Sequence, residues 1–153
     1  MKLLILAVGK LRSAPLRQVC EDYLARLSRY GHAEVKEVKA AESATPAQSV
    51  AQESARLLDE LEPTDQVCVL DERGKELTSI ELAELLKSYE MRAAKRLVFI
   101  IGGAYGLSDA VRKRGRPVAL SRLTFPHELC RVVMLEQLYR ARTIQRGEPY
   151  HHK

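Results

Sequence analysis

The chain has 153 residues, 46% of them hydrophobic and 29% charged, and carries a net charge of +5. That length suits one folded domain, residues 1–153, able to bury roughly two thirds of its unfolded surface, and the composition excludes a disordered chain. No apolar run approaches the ~20 residues of a membrane span. The opening "MKLLILAVGK" has too short an apolar stretch, and no small-residue cleavage pattern after it, to act as a secretion signal, so a soluble cytoplasmic chain is expected.

Strand-like and helix-like segments alternate. "KLLILAV" (Lys2 to Val8) is a continuous apolar run, as in a strand covered on both faces. Ser13 is placed to cap a helix with Pro15 in its first turn. Leu16, Val19, Cys20, Tyr23, Leu24, Leu27 and Tyr30 then recur at spacings of three and four. "AEVKEVK" (Ala33 to Lys39) alternates, which predicts an edge or half-exposed strand. "AAESATPAQSV" is a polar loop leading into a second helix over 46–61. "QVCVLD" (Gln66 to Asp71) is a third strand, closed by the turn-like "DERGKE". Thr78 or Ser79 caps a helix over 80–93, whose apolar side is Ile80, Leu82, Ala83, Leu85 and Leu86. "RLVFII" (Arg96 to Ile101) is a fourth strand, "PVALS" (Pro117 to Ser121) a short fifth, and a last long helix is predicted over 126–145.

Such alternation implies a parallel sheet with helices on both faces, and ligands of such sheets bind beyond the carboxyl ends of the strands. The loops to watch are therefore 70–74, 102–108 and 121–126. Cys20, Cys68 and Cys130 are odd in number and form no C-x-x-C pair, so neither a disulfide framework nor a zinc site is predicted, and each reads as a small core residue.

"FIIGGAYGLS" (Phe99 to Ser108) ends an apolar strand in glycines, and a helix-like segment follows. It is not the dinucleotide fingerprint: Ala104 holds the place of the second required glycine, and the turn follows the fourth strand, not the first. Only Gly9 follows the first strand. No G-x-x-x-x-G-K-[ST] is present, which excludes a P-loop.

"IGGAYGLS", "LSRLTFPHELCRVVMLEQLYRA" and "EPYHHK" together resemble the SPOUT class of S-adenosylmethionine-dependent RNA methyltransferases. Within that class the similarity is to the small enzymes that methylate N3 of a pseudouridine in large-subunit (23S) ribosomal RNA. It spans essentially the whole chain, and its C-terminal block is the specific part. The resemblance implies a single-domain α/β parallel sheet with a C-terminal deep trefoil knot, a homodimer, S-adenosyl-L-methionine as cofactor, and 23S rRNA in the ribosome as partner. It implies neither a metal nor a membrane.

Carried onto this sequence, the cofactor contacts fall on Leu70, Gly102, Gly103 and the run Leu120, Ser121, Arg122, Leu123, Thr124, Phe125 and Pro126. Leu70, Leu120, Leu123 and Phe125 suit the faces of adenine, and backbone groups suit its edge. The attacking imide nitrogen must lose a proton, so a base, or donors facing the flanking carbonyl oxygens, would help. Catalytic candidates are His127, Arg131, Tyr150 and His151, with Glu136, Tyr139 and Arg140 nearby. Arg131 suits a phosphate or a developing oxyanion, and His151 or Tyr150 suits the proton. Glu136 and Arg140 also form an i,i+4 pair of the helix-stabilising kind.

Apolar residues lie around much of the last helix, as burial on two sides requires. Lys10, Arg12, Arg112, Lys113, Arg114 and Arg116 are available to phosphates, and Tyr105 to a base. With so little surface, the chain is expected to need a structured ribosomal particle. The rival readings are a ribosome- or RNA-binding factor without catalysis on the same fold, and a nicotinamide-dependent oxidoreductase, which the displaced glycines disfavour.

Overall fold

The computed structural model describes residues 1–42 and 45–152. Ser43 and Ala44 of the predicted polar loop, and the tail residue Lys153, lie outside the described residues. In chain order the elements are β1 (Lys2–Val8), α1 (Ala14–Leu27), β2 (Ala33–Val38), α2 (Pro46–Asp59), β3 (Gln66–Glu76), α3 (Ser79–Met91), β4 (Arg96–Ile101), α4 (Asp109–Arg114), β5 (Arg116–Ala119) and α5 (His127–Arg146). A 3-10 turn, Ser28–Tyr30, follows α1.

The five strands form one parallel sheet in the order β2-β1-β4-β3-β5. Alternate residues of β1 feed two cores. Leu3, Ile5 and Ala7 pack with α1, α3 and α5 on one face, through residues such as Leu27, Leu86 and Leu138. Leu4, Leu6 and Val8 pack on the other face with Leu57 of α2 and Val111 of α4. Hence the unbroken apolar run of β1. β2 is an edge strand and shows the alternating exposure its sequence predicts.

Helix starts follow the capping residues. Ser13 accepts from Leu16 N, and Thr78, not Ser79, closes a capping box with Glu81. Ile80, predicted as core, is 43% exposed beside this cap, while Leu82, Ala83, Leu85 and Leu86 are buried.

The segment "DERGKE" corrects the sequence reading. It does not end β3. Leu70 and Lys75 both face Val118 of β5, so residues 71–74 bulge out and the strand then resumes. Gly74 makes the return possible, because a Cβ there would lie 2.5 Å from the backbone nitrogen of Val118.

The helix after β1 covers one face of the sheet and the helix after β4 covers the other. These neighbouring strands thus form a switch point, and so do β4 and β3, where sheets of this kind open a crevice.

Candidate functional site

The three predicted loops meet at the carboxyl ends of β4, β3 and β5 and enclose a cleft of about 930 Å³. Nine of the ten residues assigned to cofactor contact line it: Leu70, Gly102, Gly103, Leu120, Ser121, Leu123, Thr124, Phe125 and Pro126. Arg122 is outside the lining and exposed. A second hollow of about 510 Å³, bordered by Tyr30, residues of α3 and the end of α5, contains none of the predicted residues.

Glycine geometry shapes the floor of the cleft. A Cβ on Gly102 would stand 2.9 Å from Leu107 Cγ, and one on Gly103 would stand 2.5 Å from Glu53 Oε2. The turn closes with Gly106 N donating to Gly103 O at 3.1 Å, and Gly106 takes a φ of 83° that suits glycine. Tyr105, at 61% exposure, and Leu123, at 73%, stand at the rim.

One wall is pinned by charge. Asp71, in the bulge, accepts from Arg73 N and Nε at 3.0 Å and from Arg112 Nε at 2.7 Å. These bonds hold its carboxyl well below the usual carboxylate range. Arg112, expected to be available to phosphate, is instead engaged across the cleft wall.

His127 lines the cleft as the first residue of α5. Arg131, one turn on, is 0% exposed. Its Nη1 donates to Glu37 at 2.6 Å, and its Nη2 donates to Val8 O at 2.8 Å and Gly9 O at 2.7 Å and lies 3.1 Å from His127 Nδ1. The two Nη2 protons are directed at the carbonyls, and a guanidinium cannot accept, so the positive group beside His127 Nδ1 disfavours a proton there and favours the neutral tautomer with its proton on Nε2. Burial, and then the Arg131 charge, lower the His127 pKa. The expectation that Arg131 holds a phosphate or oxyanion is corrected: the side chain is enclosed, and it ties the end of β1 to α5.

Tyr150 and His151 do not join His127. The Tyr150 ring meets Tyr139 edge-on at 4.7 Å, its hydroxyl donates to Glu136 Oε1 at 3.1 Å, and Arg140 stacks 4.7 Å over it. Burial and a bond with Tyr23 raise the Tyr150 pKa. His151 Nδ1 is 3.5 Å from Arg140 Nη1. Arg140 is thirteen residues beyond His127 on one helix, which at 1.5 Å per residue is roughly 20 Å. Within one chain, the expected catalytic set is split in two.

The other basic candidates scatter. Lys10 and Arg12 are exposed after β1, and Arg12 N donates to Glu128 Oε1 at the start of α5. Arg114 donates to the carbonyl of Glu62 at 2.8 Å, and Arg116 begins β5, so both lie toward the opposite end of the sheet from the cleft; Lys113 of α4 is exposed. Cys20 and Cys68 are buried, whereas Cys130 is half-buried and lines the cleft. Among the described residues, no group of three or more histidines, cysteines or carboxylates is placed to hold a metal, and no helix is long and apolar enough to cross a membrane.

Sequence reading missed Glu53. It is 5% exposed on α2, and its Oε1 accepts from Ala41 N at 2.9 Å. Its Oε2 has no hydrogen-bond partner among the described residues. Ser49, Glu53 and Leu57 recur every four residues, and a carboxylate on the same helix face as a core leucine was the available signal.

This arrangement is that of a known class of parallel α/β proteins with ligand clefts at the strand ends. The family model described as predicted SPOUT methyltransferase matches residues 1–151, and the chain belongs to that family. A protein of Gloeobacter violaceus named ribosomal RNA large subunit methyltransferase H is 43% identical over 153 residues, 99% of either chain. One of the same name from Nitratidesulfovibrio vulgaris is 49% identical over 150 residues, 97% of each. Among solved structures, a probable methylase family protein from Haemophilus influenzae shares the fold, with a TM-score of 0.57 at 11% identity, covering 99% of this chain and 70% of that one.

Proposed function

We propose that this chain transfers a methyl group from S-adenosyl-L-methionine to N3 of a pseudouridine in 23S rRNA, acting as a cytoplasmic homodimer on the assembled ribosome. The observation that carries the reading is the cleft at the strand ends, in which the loops 70–73, 102–107 and 120–127 come together. The relatives' names give the substrate class. The single domain and the knot belong to the same reading, with 120–126 as the loop that wraps the cofactor.

The residues present suit that cofactor. Leu70, Leu120 and Phe125 offer apolar faces to a flat heterocycle, and the loop backbone around them offers donors and acceptors to its edge. Glu53 supplies an orphaned buried acceptor beside the cleft floor. The cofactor brings a methyl group already activated by its sulfonium, so the protein's work is mostly positioning.

The chain's own residues divide that work. His127, neutral with its proton on Nε2, acts as a hydrogen-bond donor toward a carbonyl oxygen that gains charge as the imide nitrogen attacks. Arg131 fixes this tautomer. It is a positioning residue. The exposed Lys10 and Arg12, in the segment after β1, face phosphates, and Tyr105 at the rim of the cleft faces a base. Tyr150 keeps its proton and donates, and His151, which lies 3.5 Å from Arg140, is the group of the tail to which the proton passes.

The ~20 Å between His127 and the tail requires two chains. The tail of one protomer completes the cleft of the other. The half-buried flank of α5, with Val132, Val133 and Tyr139, is available for that pairing.

Labelled S-adenosylmethionine is incubated with ribosomes that lack the modification and with naked 23S rRNA. Label on N3 of one pseudouridine, in ribosomes only, is the expected result. Ribosome binding with no transfer in either arm would contradict the reading and favour a binding factor.

A further inference from the structure

Glu53, the orphaned acceptor beside the cleft floor, has no ligand atom assigned to it above. Its carboxylate has one bond, from Ala41 N, and no cation partner among the described residues. The nearby Arg131 does not serve, because its Nη1 is held by Glu37 and its Nη2 by the carbonyls of Val8 and Gly9. A buried carboxylate without a counter-charge is costly and calls for a specific explanation, which a cationic group on a ligand would supply.

The location is a corner behind the cleft floor: neither Glu53 nor Gly9 is among the residues that line the cleft. Gly103 lines the cleft, and Oε2 stands 2.5 Å from where its Cβ would be, so only a glycine lets the carboxylate come so close. Gly9, at the end of the adjacent β1, also lacks a side chain, and His127 Cε1 lies 3.6 Å from its missing Cβ. Two neighbouring strand ends are thus bare, at the switch point between β1 and β4, with an unpartnered acceptor beneath.

Resting on the reading just given, we propose that Glu53 Oε2 accepts from the ammonium of the methyl donor's amino-acid end, which lies in this corner while the heterocycle lies against Leu70, Leu120 and Phe125. An ammonium fits better than a hydroxyl because it neutralises the charge as well as donating. The sulfonium cannot donate at all. The cofactor's own carboxylate is repelled by Glu53 and points away from it.

The test is calorimetric titration of the full chain with S-adenosylhomocysteine and with 5′-methylthioadenosine, which lacks the amino-acid end. Glu53→Gln keeps the size of the side chain and its acceptor for Ala41 N. It should weaken S-adenosylhomocysteine roughly tenfold to a hundredfold and leave methylthioadenosine within about twofold. Equal weakening of both ligands would show a structural role and overturn the proposal, as would no change or tighter binding in either. A measurement on the unaltered chain guards against a variant that does not fold. The analogue with hydrogen in place of the α-amino group should bind at least roughly tenfold more weakly than S-adenosylhomocysteine; equal affinity would refute the assignment. If the unaltered chain bound neither adenosine ligand, the methyl-donor reading itself would fall, and that result is distinct from a failure of Glu53 alone.

Discussion

Arg131 and His127 stand one helical turn apart at the start of α5, with the arginine Nη2 3.1 Å from the histidine Nδ1. The arginine is wholly enclosed, and the histidine faces the cleft. One side chain thus joins the end of β1, Glu37 of β2 and the ring that lines the cleft.

Replacing Arg131 by methionine removes its bonds to Val8 O and Gly9 O and leaves Glu37 without its cation. Glu37 is 31% exposed, so water softens the loss, and a destabilisation on the order of 2 kcal/mol is expected in urea unfolding. A change below about 0.5 kcal/mol would show that the clamp carries no weight.

His127 gives the stability a pH dependence of defined sign. Its folded pKa lies below the ordinary 6.5, so as the pH falls the unfolded chain binds the proton first. Stability should be level above about pH 7.5 and decline from about 6.5 downward, until the folded ring is protonated too. Urea midpoints across this range check the point. His127→Asn, which keeps an acceptor near Arg131 but does not titrate, should flatten the slope. An equal slope in that variant would assign the effect to other groups.

Two glycine substitutions should differ in cost. A Cβ at Gly74 meets the backbone of Val118 and Pro117 at 2.5 to 2.7 Å, and neither can withdraw without breaking the β3–β5 pairing. Gly74→Ala should therefore cost roughly 2–3 kcal/mol. At Gly103 the obstacle is a carboxylate, which can shift, so Gly103→Ala should cost about 1 kcal/mol while disturbing ligand binding more. Thermal melts of both variants would expose a reversed order.

Much of this was legible beforehand. The runs Lys2 to Val8 and Arg96 to Ile101 are apolar on both faces because helices cover both, and that pattern pointed to the loops at the strand ends, which line the cleft. The bulge at 71–74 was not legible, because Gly74 within a polar run looks like a closing turn until Val118 is seen opposite both Leu70 and Lys75. The burial of Arg131 was hidden too. Its partners Glu37, Val8 and Gly9 are more than ninety residues away in sequence, and no local periodicity reports them. The separation of Tyr150 and His151 from His127 was missed as well: the sequence reading grouped them as one set, although the length of α5 and the packing of the tail on Glu136 and Arg140 keep them apart within one chain.

That separation gives a test of the paired site. His127→Ala and His151→Ala homodimers should both be inactive in methyl transfer. After subunit exchange, half of the dimers carry one intact cleft, so activity should return to roughly a quarter of the unaltered level. No recovery, with exchange verified, would place both residues in one chain's site.

The most direct measurement is calorimetric titration of the chain with S-adenosylmethionine, S-adenosylhomocysteine and NADH in parallel, repeated on Phe125→Ala, which removes an apolar wall of the cleft. Saturable binding of the first two, none of NADH, and a loss of affinity in the variant are the expected results. Binding of NADH, or adenosine-ligand binding indifferent to Phe125, would contradict the assignment of this cleft to a methyl donor.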